Sequence, residues 1–224
     1  MFEGEKKLIF QVLSLNVGKP KRHIINGKEL HTGFIKKPVE QPQYLTKVGF
    51  EADGQADLKN HGGQDKALLL YNAEYYTYWE QLYNKEFKYA SFGENITING
   101  LSEQDVYIGD IYKLGEATIQ VSQPRNPCYK IAEVNQVKDI TAKVTETGYS
   151  GYYFRVLKEG LVAPTDSLKC IEVDQSKISV SDVQQTLFHD RKDAVKIKQI
   201  LSVEALADSI RSTLEKRMKK LITK

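Results

Sequence analysis

The stretch Gln123-Pro-Arg-Asn-Pro-Cys-Tyr-Lys130 carries the most reactive group in the chain, the thiol of Cys128. Two prolines three residues apart fix φ and disfavour helix, so a strand ending near Ser122 is expected to run out into a stiff, extended loop. Arg125 and Lys130 flank Cys128 in sequence. Cationic neighbours favour a thiolate, the form that attacks electrophiles or binds soft metals. The plainer alternative is a small buried Cys at a strand end. Cys170 sits in a strand-like alternation without local cations and reads as a core residue. A second stretch, Asp53 to Lys66, places Asp53, Asp57, His61 and Asp65 at four-residue intervals. On a helix these would form an acidic metal-binding stripe, but Gly54 and the Gly62-Gly63 pair oppose a continuous helix. A Gly-Gly turn lets backbone N–H groups approach an anion, with Lys66 as a cation beside it. His61 suits a ligand, a proton carrier or a donor to a cofactor. A polar turn closing two strands is the alternative. Ser91-Phe-Gly-Glu-Asn95 offers a turn at Gly93 with an acceptor and an amide after it, and alone is ordinary loop chemistry.

The elements that must position these groups are mostly strands. Residues 8–17, 67–71 and 168–173 read as strands, and 106–123 as two strands around a Leu114-Gly115-Glu116 turn. A helix is expected over 73–85, capped by Asn72, with its aromatics lying against the sheet or barrel. Residues 19–47 lack periodicity and are rich in Lys, Gly and Pro, which suggests a mobile loop or lid near a site. After about residue 176 the pattern becomes helical: Asp182 to Phe188, Asp193 to Leu201 and Ser202 to Ile222, the last with Arg211, Lys216, Arg217, Lys219 and Lys220 in its C-terminal half. The expected division is a β-rich domain over 1–175 and a small three-helix domain over 176–224.

Composition narrows the function classes. Of 224 residues, 41% are hydrophobic and 27% charged, and the net charge is +3. That balance is too even for coating phosphate backbones, and Glu204, Asp208 and Glu215 interrupt the basic tail, so stable nucleic-acid binding is not expected. Two cysteines are too few for a disulfide framework, a four-cysteine zinc site or an iron–sulfur cluster. No apolar run reaches the ~18–20 residues of a membrane span, and Met1 to Lys7 lacks the lead-in to a signal peptide. The expectation is a reduced, cytoplasmic protein without a membrane partner.

Taken together, the motifs carry a resemblance. Asp57-X3-His61-Gly-Gly-X-Asp65-Lys66-Ala67, Phe92-Gly-Glu-Asn95, Gly109-Asp110 and Gln123-Pro-Arg-X-Pro-Cys128-X-Lys130 resemble the MOSC family, named after the C-terminal domain of molybdenum cofactor sulfurase. Gly148-Tyr-Ser-Gly-Tyr152, Arg155-Val156 and the helical tail are similar to its stand-alone, YiiM-like bacterial branch. The resemblance implies a mainly β, α+β fold: a mixed closed β-barrel with a C-terminal three-helix domain. It implies a molybdenum cofactor (Mo-pterin), with Cys128 as the metal ligand. It also implies reduction of N-hydroxylated compounds, such as hydroxylaminopurines and hydroxylamines, in base-analogue detoxification. His61, Gly62, Gly63, Asp65, Lys66, Asn95 and Arg125 are then the candidates to hold the pterin and its phosphate, Arg matching a phosphate fork. Asp57 and Asp65 would orient these groups or meet the pterin's N–H edge. Cys128 and His61 are the catalytic candidates, His61 as proton donor. Reducing R–NHOH takes two electrons and two protons, which a metal centre can cycle and side chains cannot. With neither iron–sulfur cysteines nor a Gly-rich dinucleotide fingerprint, electrons must come from a separate flavin or iron–sulfur protein, for which the basic last helix is a docking candidate. The rival reading is a sulfur carrier or relay with a persulfide on Cys128. Nothing marks a Schiff-base lysine for pyridoxal phosphate.

Overall fold

The computed structural model describes residues 9–223. Leu8 and the N-terminal residues considered above for a signal peptide lie outside them. The strands are β1 (Ile9–Val17), β2 (Lys21–Ile25), β3 (Lys28–Thr32), β4 (Lys37–Pro38), β5 (Gln43–Thr46), β6 (Gly49–Phe50), β7 (Leu68–Asn72), β8 (Ile96–Ile98), β9 (Ile111–Leu114), β10 (Ala117–Pro124), β11 (Tyr152–Lys158), β12 (Gly160–Val162) and β13 (Ser167–Glu172). The helices are α1 (Leu58–His61), α2 (Glu74–Tyr83), α3 (Lys130–Asn135), α4 (Ile140–Thr147), α5 (Val180–Phe188), α6 (Ala194–Leu201) and α7 (Asp208–Ile222).

Alternation builds the barrel. In β1, Phe10, Val12 and Ser14 point inward while Ile9, Gln11 and Leu13 face out. β10 buries Ala117, Ile119 and Val121 in the same way. Seven strands run in the order β13-β9-β10-β11-β7-β8-β1, and β1 pairs back onto β13 (Ile9 opposite Lys169) to close the barrel. Closure leaves no open edge in the ring. β7 and β8 are parallel, which requires a crossover connection, and α2 supplies it. The cap position of α2 is Ala73, one residue later than expected; Asn72 Oδ1 instead accepts the Glu74 N–H (3.2 Å) in a local turn ahead of the helix. The aromatics of α2 build a second core. Trp79 is fully buried, donating from Nε1 to the Tyr71 hydroxyl (2.7 Å), beside Phe92 and Phe87. Replacing Trp79 with Ala would cost about 3–5 kcal/mol.

Several boundaries differ from expectation. Tyr107 makes an isolated antiparallel bridge to Ser179 and residues 108–109 form a turn, so the strand pair begins at Ile111, with Gly115 at φ +55 making the connection. The segment 19–47 is not a loop throughout. It holds the β2–β3 hairpin, whose Asn26 and Gly27 both have positive φ, the primed-turn geometry that matches strand twist. The last helix starts at Asp208, not Ser202. Residues 203–207 instead make a separate turn that buries Val203, Leu206 and Ala207. α3 and α4, unforeseen in the sequence, follow the Pro-Arg-Asn-Pro-Cys loop. Val180, Val183, Ile197, Ile200 and Leu214 of the three C-terminal helices join the same apolar cluster as the barrel interior. Arg211 and Arg217 are spent inside this unit, their guanidinium groups donating to the carbonyls of Leu201 and Val203 and of Thr186 and Leu187. That removes two of the five cations from the proposed docking face.

Candidate functional site

A cleft opens where β10 runs out into the loop that carries Cys128. The end of β3 and the residues after it bring Thr32, Gly33, Phe34 and Lys36 to its wall; the approach to α1 brings Gly54 to Asp57. His61, Lys66, Leu69, Gly93, Asn95, Arg125, Cys128, Lys130 and Tyr153 complete the lining.

Arg125 is 3% exposed and enters from the last turn of extended chain after β10. Its backbone N–H donates to the Gly151 carbonyl (3.0 Å), and the Ser150 hydroxyl is shared between the carbonyls of Arg125 and Gly151 (3.1 Å each). Its guanidinium lies over the Phe34 ring, 5.6 Å from the centroid, while Nη1 is buried with no hydrogen-bond partner. Phe34 in turn packs on Gly93. That residue has φ +75, and a Cβ there would stand 2.8 Å from the ring, so both backbone and space call for glycine. Cys128 is partly exposed, and its carbonyl accepts the Ile131 N–H (3.1 Å), which opens α3.

The acidic groups are already engaged. Asp53 pairs with the buried Lys36 and accepts the Gly18 N–H (2.8 Å) and Asn95 Nδ2 (2.8 Å). Asn95 also accepts from the Leu69 N–H (3.2 Å) through Oδ1 and donates to the Asn16 carbonyl (3.2 Å). Asp57 caps α1 by accepting from Asn60 N (3.1 Å) and Nδ2 (2.8 Å), which holds its carboxyl below the usual range. Four cations, Lys36, Lys66, Arg125 and Lys130, thus share the lining; Asp53 neutralises Lys36, and Asp57 is engaged as the cap of α1. Burial pushes the pKa values of Lys36, Lys66 and His61 down, and the charge of Lys130 adds to the effect on His61. Burial raises that of the Tyr153 hydroxyl. The cleft therefore favours an anion and keeps His61 neutral near pH 7.

Of the residues singled out in the sequence, His61, Lys66, Asn95, Arg125 and Cys128 meet in this cleft. Asp65 does not line it. Its Oδ1 takes Arg155 Nε (2.8 Å) and Nη2 (2.7 Å) on the far side of the turn. Gly62 and Gly63 form the turn behind the wall: the Gly62 N–H donates to the Leu58 carbonyl (3.1 Å), and Gly63 has φ +100. Sequence reasoning missed Phe34, Lys36 and Tyr153 as lining residues. Phe34 and Lys36 lie in the segment without periodicity, and Tyr153 hides in a strand. Among the described residues no group of three or more His, Cys, Asp and Glu side chains converges to hold a metal ion. Nor is any described helix long and apolar enough to cross a membrane.

The model of the MOSC domain matches residues 57–169, which span α1, the Cys128 loop and most of the barrel. The chain belongs to the MOSC family. A second model, the YiiM-like 3-alpha helix domain, matches residues 178–221. This MOSC chain is 45% identical to YflK of Bacillus subtilis strain 168, over 95% of its own length and 96% of YflK. The crystal structure of YiiM from Geobacillus stearothermophilus superposes with a TM-score of 0.81 at 40% identity, covering 93% of this chain and 99% of that one. A protein named as a reductase from Gibberella moniliformis strain M3125 is 30% identical over 79% of this chain, which spans 32% of that longer protein. Thr32 to Lys36 and Asp53 fall outside the matched MOSC segment, yet Thr32 to Lys36 form part of the cleft wall and Asp53 anchors Lys36 behind it.

Proposed function

We propose that the cleft binds the molybdenum cofactor and that the protein reduces N-hydroxylated compounds such as hydroxylaminopurines, with electrons from a separate flavin or iron–sulfur protein in the cytoplasm. The observation that carries this reading is the buried, unpartnered Nη1 of Arg125, set among a surplus of cations and beside a partly exposed thiol. A buried donor without an acceptor is costly, and an anionic group from outside the chain would satisfy it. The donor set fits this cofactor. Arg125, Lys66 and Lys130 suit a phosphate, and the Cys128 thiolate suits a soft metal whose remaining ligands come from the pterin dithiolene. Family membership and the similarity to a named reductase point the same way.

Once bound, the cofactor supplies the two-electron reduction that converts R–NHOH to R–NH2 and water. The chain's own residues do the rest. Cys128 would hold the metal through its thiolate. His61 would take up a proton from solvent at the cleft mouth, and the imidazolium so formed, made a stronger acid by burial, would pass it to the leaving oxygen; the second proton comes from solvent. Phe34 and Tyr153 supply apolar walls that limit water entry. Asn95 and Asp53 fix Lys36 and the cleft floor rather than meeting the ligand with free hydrogen-bonding groups. The domain division at 175/176 is retained in this reading.

The test is metal and pterin content of protein from cells with an intact cofactor pathway, wild type beside Cys128→Ala. Near-stoichiometric Mo in the wild type, its loss or altered coordination in the variant, and turnover of 6-N-hydroxylaminopurine with a supplied donor are expected. Absence of Mo from the wild type, with the pathway verified, refutes the reading and leaves the sulfur relay, which a cyanide-releasable sulfur on Cys128 would identify.

A further inference from the structure

The three C-terminal helices reach the back of the cleft by two routes. Along the first, Gln184 of α5, 5% exposed, donates from Nε2 to Ser150 Oγ (2.7 Å), whose hydroxyl is shared between the Arg125 carbonyl (3.1 Å) and the carbonyl of Gly151 (3.1 Å), the residue that accepts the Arg125 N–H. The second runs through the start of α7. The Ala207 N–H donates to the Ser122 carbonyl (3.1 Å), the Asp208 N–H to Asp65 Oδ2 (3.3 Å), and Ser209 Oγ to Gln123 Oε1 (3.1 Å). Ser122 Oγ closes the circuit onto the Asp65 carbonyl (2.6 Å).

These contacts end on the backbone of one cleft cation, Arg125, on Ser122 and Gln123 just before it in β10, or on Asp65, the immediate neighbour of a second cleft cation, Lys66. The placement matters because the tips of those side chains are weakly fixed. Nη1 of Arg125 has no acceptor, so its pose comes from Phe34 beneath it and the backbone behind it. Lys66 is tethered by the Asn60 carbonyl (2.7 Å) at the end of an exposed turn.

The geometry points to Gln184 and the backbone N–H of Asp208 as positioning groups for Arg125 and Lys66, which makes the three-helix unit a working part of the cleft. The cleft then binds a phosphate-type anion tightly only while α5 and α7 are docked. By linkage, an anion in the cleft strengthens that docking by the same factor. The anion half of this inference rests on the cofactor reading above; the positioning half does not.

Two variants separate the routes. Gln184→Leu keeps volume and removes the donor to Ser150. Asp208→Pro removes the N–H toward Asp65 at the first position of α7, where proline is well tolerated, and Ala207 already holds the extended conformation that precedes proline (φ −58°, ψ 139°). Hydrogen exchange is read at the backbone amides of Arg125 and Lys66, with β1 amides as the global control. Affinity for inorganic pyrophosphate is read by calorimetry. In both variants exchange at the two site amides is expected to rise about tenfold with β1 unchanged, and pyrophosphate binding to weaken about fivefold. Unchanged site exchange in both variants overturns the inference, and so does faster exchange with unchanged affinity. If the wild type binds no pyrophosphate, the anionic-cofactor reading fails, and the exchange data alone decide the positioning role. If Gln184→Leu does not fold, Asp208→Pro decides between these outcomes by itself.

Discussion

Removing Asp53 should damage the protein more than removing its partner Lys36, although the two form one ion pair. The side chains are 1% and 6% exposed, so neither charge has water to fall back on. Asp53→Ala strands a buried ammonium and takes the acceptor from the Gly18 N–H and from Asn95 Nδ2. Breaking a buried pair costs about 3–5 kcal/mol, and the two stranded N–H donors push the expected loss to the top of that range. Lys36→Met also leaves a buried charge, but the carboxylate keeps both N–H donors, so its loss should fall at the bottom of that range, about 3 kcal/mol. For a chain of this length a loss of about 5 kcal/mol lowers Tm by 10 °C or more. The pH dependence supplies a second signature. Burial already holds Lys36 below its ordinary 10.5, and without Asp53 its folded-state value drops further. The unfolded variant then binds a proton that the folded one does not, so its stability rises with pH over the interval below 10.5. Urea unfolding at pH 7 and pH 9 should show the deficit against wild type narrowing. Equal losses for the two variants, or an Asp53→Ala deficit that does not shrink with pH, would refute the reasoning.

Two further outcomes are expected. Gly93→Ala must place a Cβ 2.8 Å from the Phe34 ring at φ +75, so it should lose about 2–4 kcal/mol of stability by chemical denaturation and weaken pyrophosphate binding through the displaced ring under Arg125. A loss below about 1 kcal/mol would mean that Phe34 swings aside freely. Iodoacetamide should label the partly exposed Cys128 and spare Cys170, which is 7% exposed in β13, as peptide mapping under native conditions would show. Equal labelling of both would contradict the burial of Cys170.

Alternation made much of the barrel legible. Ala117, Ile119 and Val121 announced β10, and the apolar run around Leu68–Leu70 announced β7. The helical pattern expected from Ser202 onward did mark buried residues, Val203 and Leu206, but they belong to a turn ahead of α7. Ala207 donates to a barrel strand instead of up its own helix, a tertiary contact that overrides the local period. The β2–β3 hairpin carried a readable signal, Asn26-Gly27, lost in a segment judged by its Lys and Pro content. In the cleft, the side chains with distinctive chemistry were found because reactive types cluster in short stretches. Lys36 and Asp53 were not paired beforehand, since seventeen residues separate them and the structure alone joins them. Phe34 could not be recognised as the support for Arg125 without knowing that Gly93 leaves room for its ring.

The closure of the barrel through β1 and β13 has a kinetic side. Ile9 finds its partner 160 positions later, at Lys169, so the N-terminal strand cannot complete its pairing until nearly the whole barrel sequence has been made. At about 5–20 residues per second, the ribosome leaves that edge unpaired for on the order of ten seconds. During this time β1 offers alternating apolar side chains and free backbone groups to any neighbouring chain. The helices that finish the core emerge later still. Poor yield on rapid overexpression, relieved by slower synthesis or added chaperones, would be the cellular trace of a ring whose last strand closes on its first.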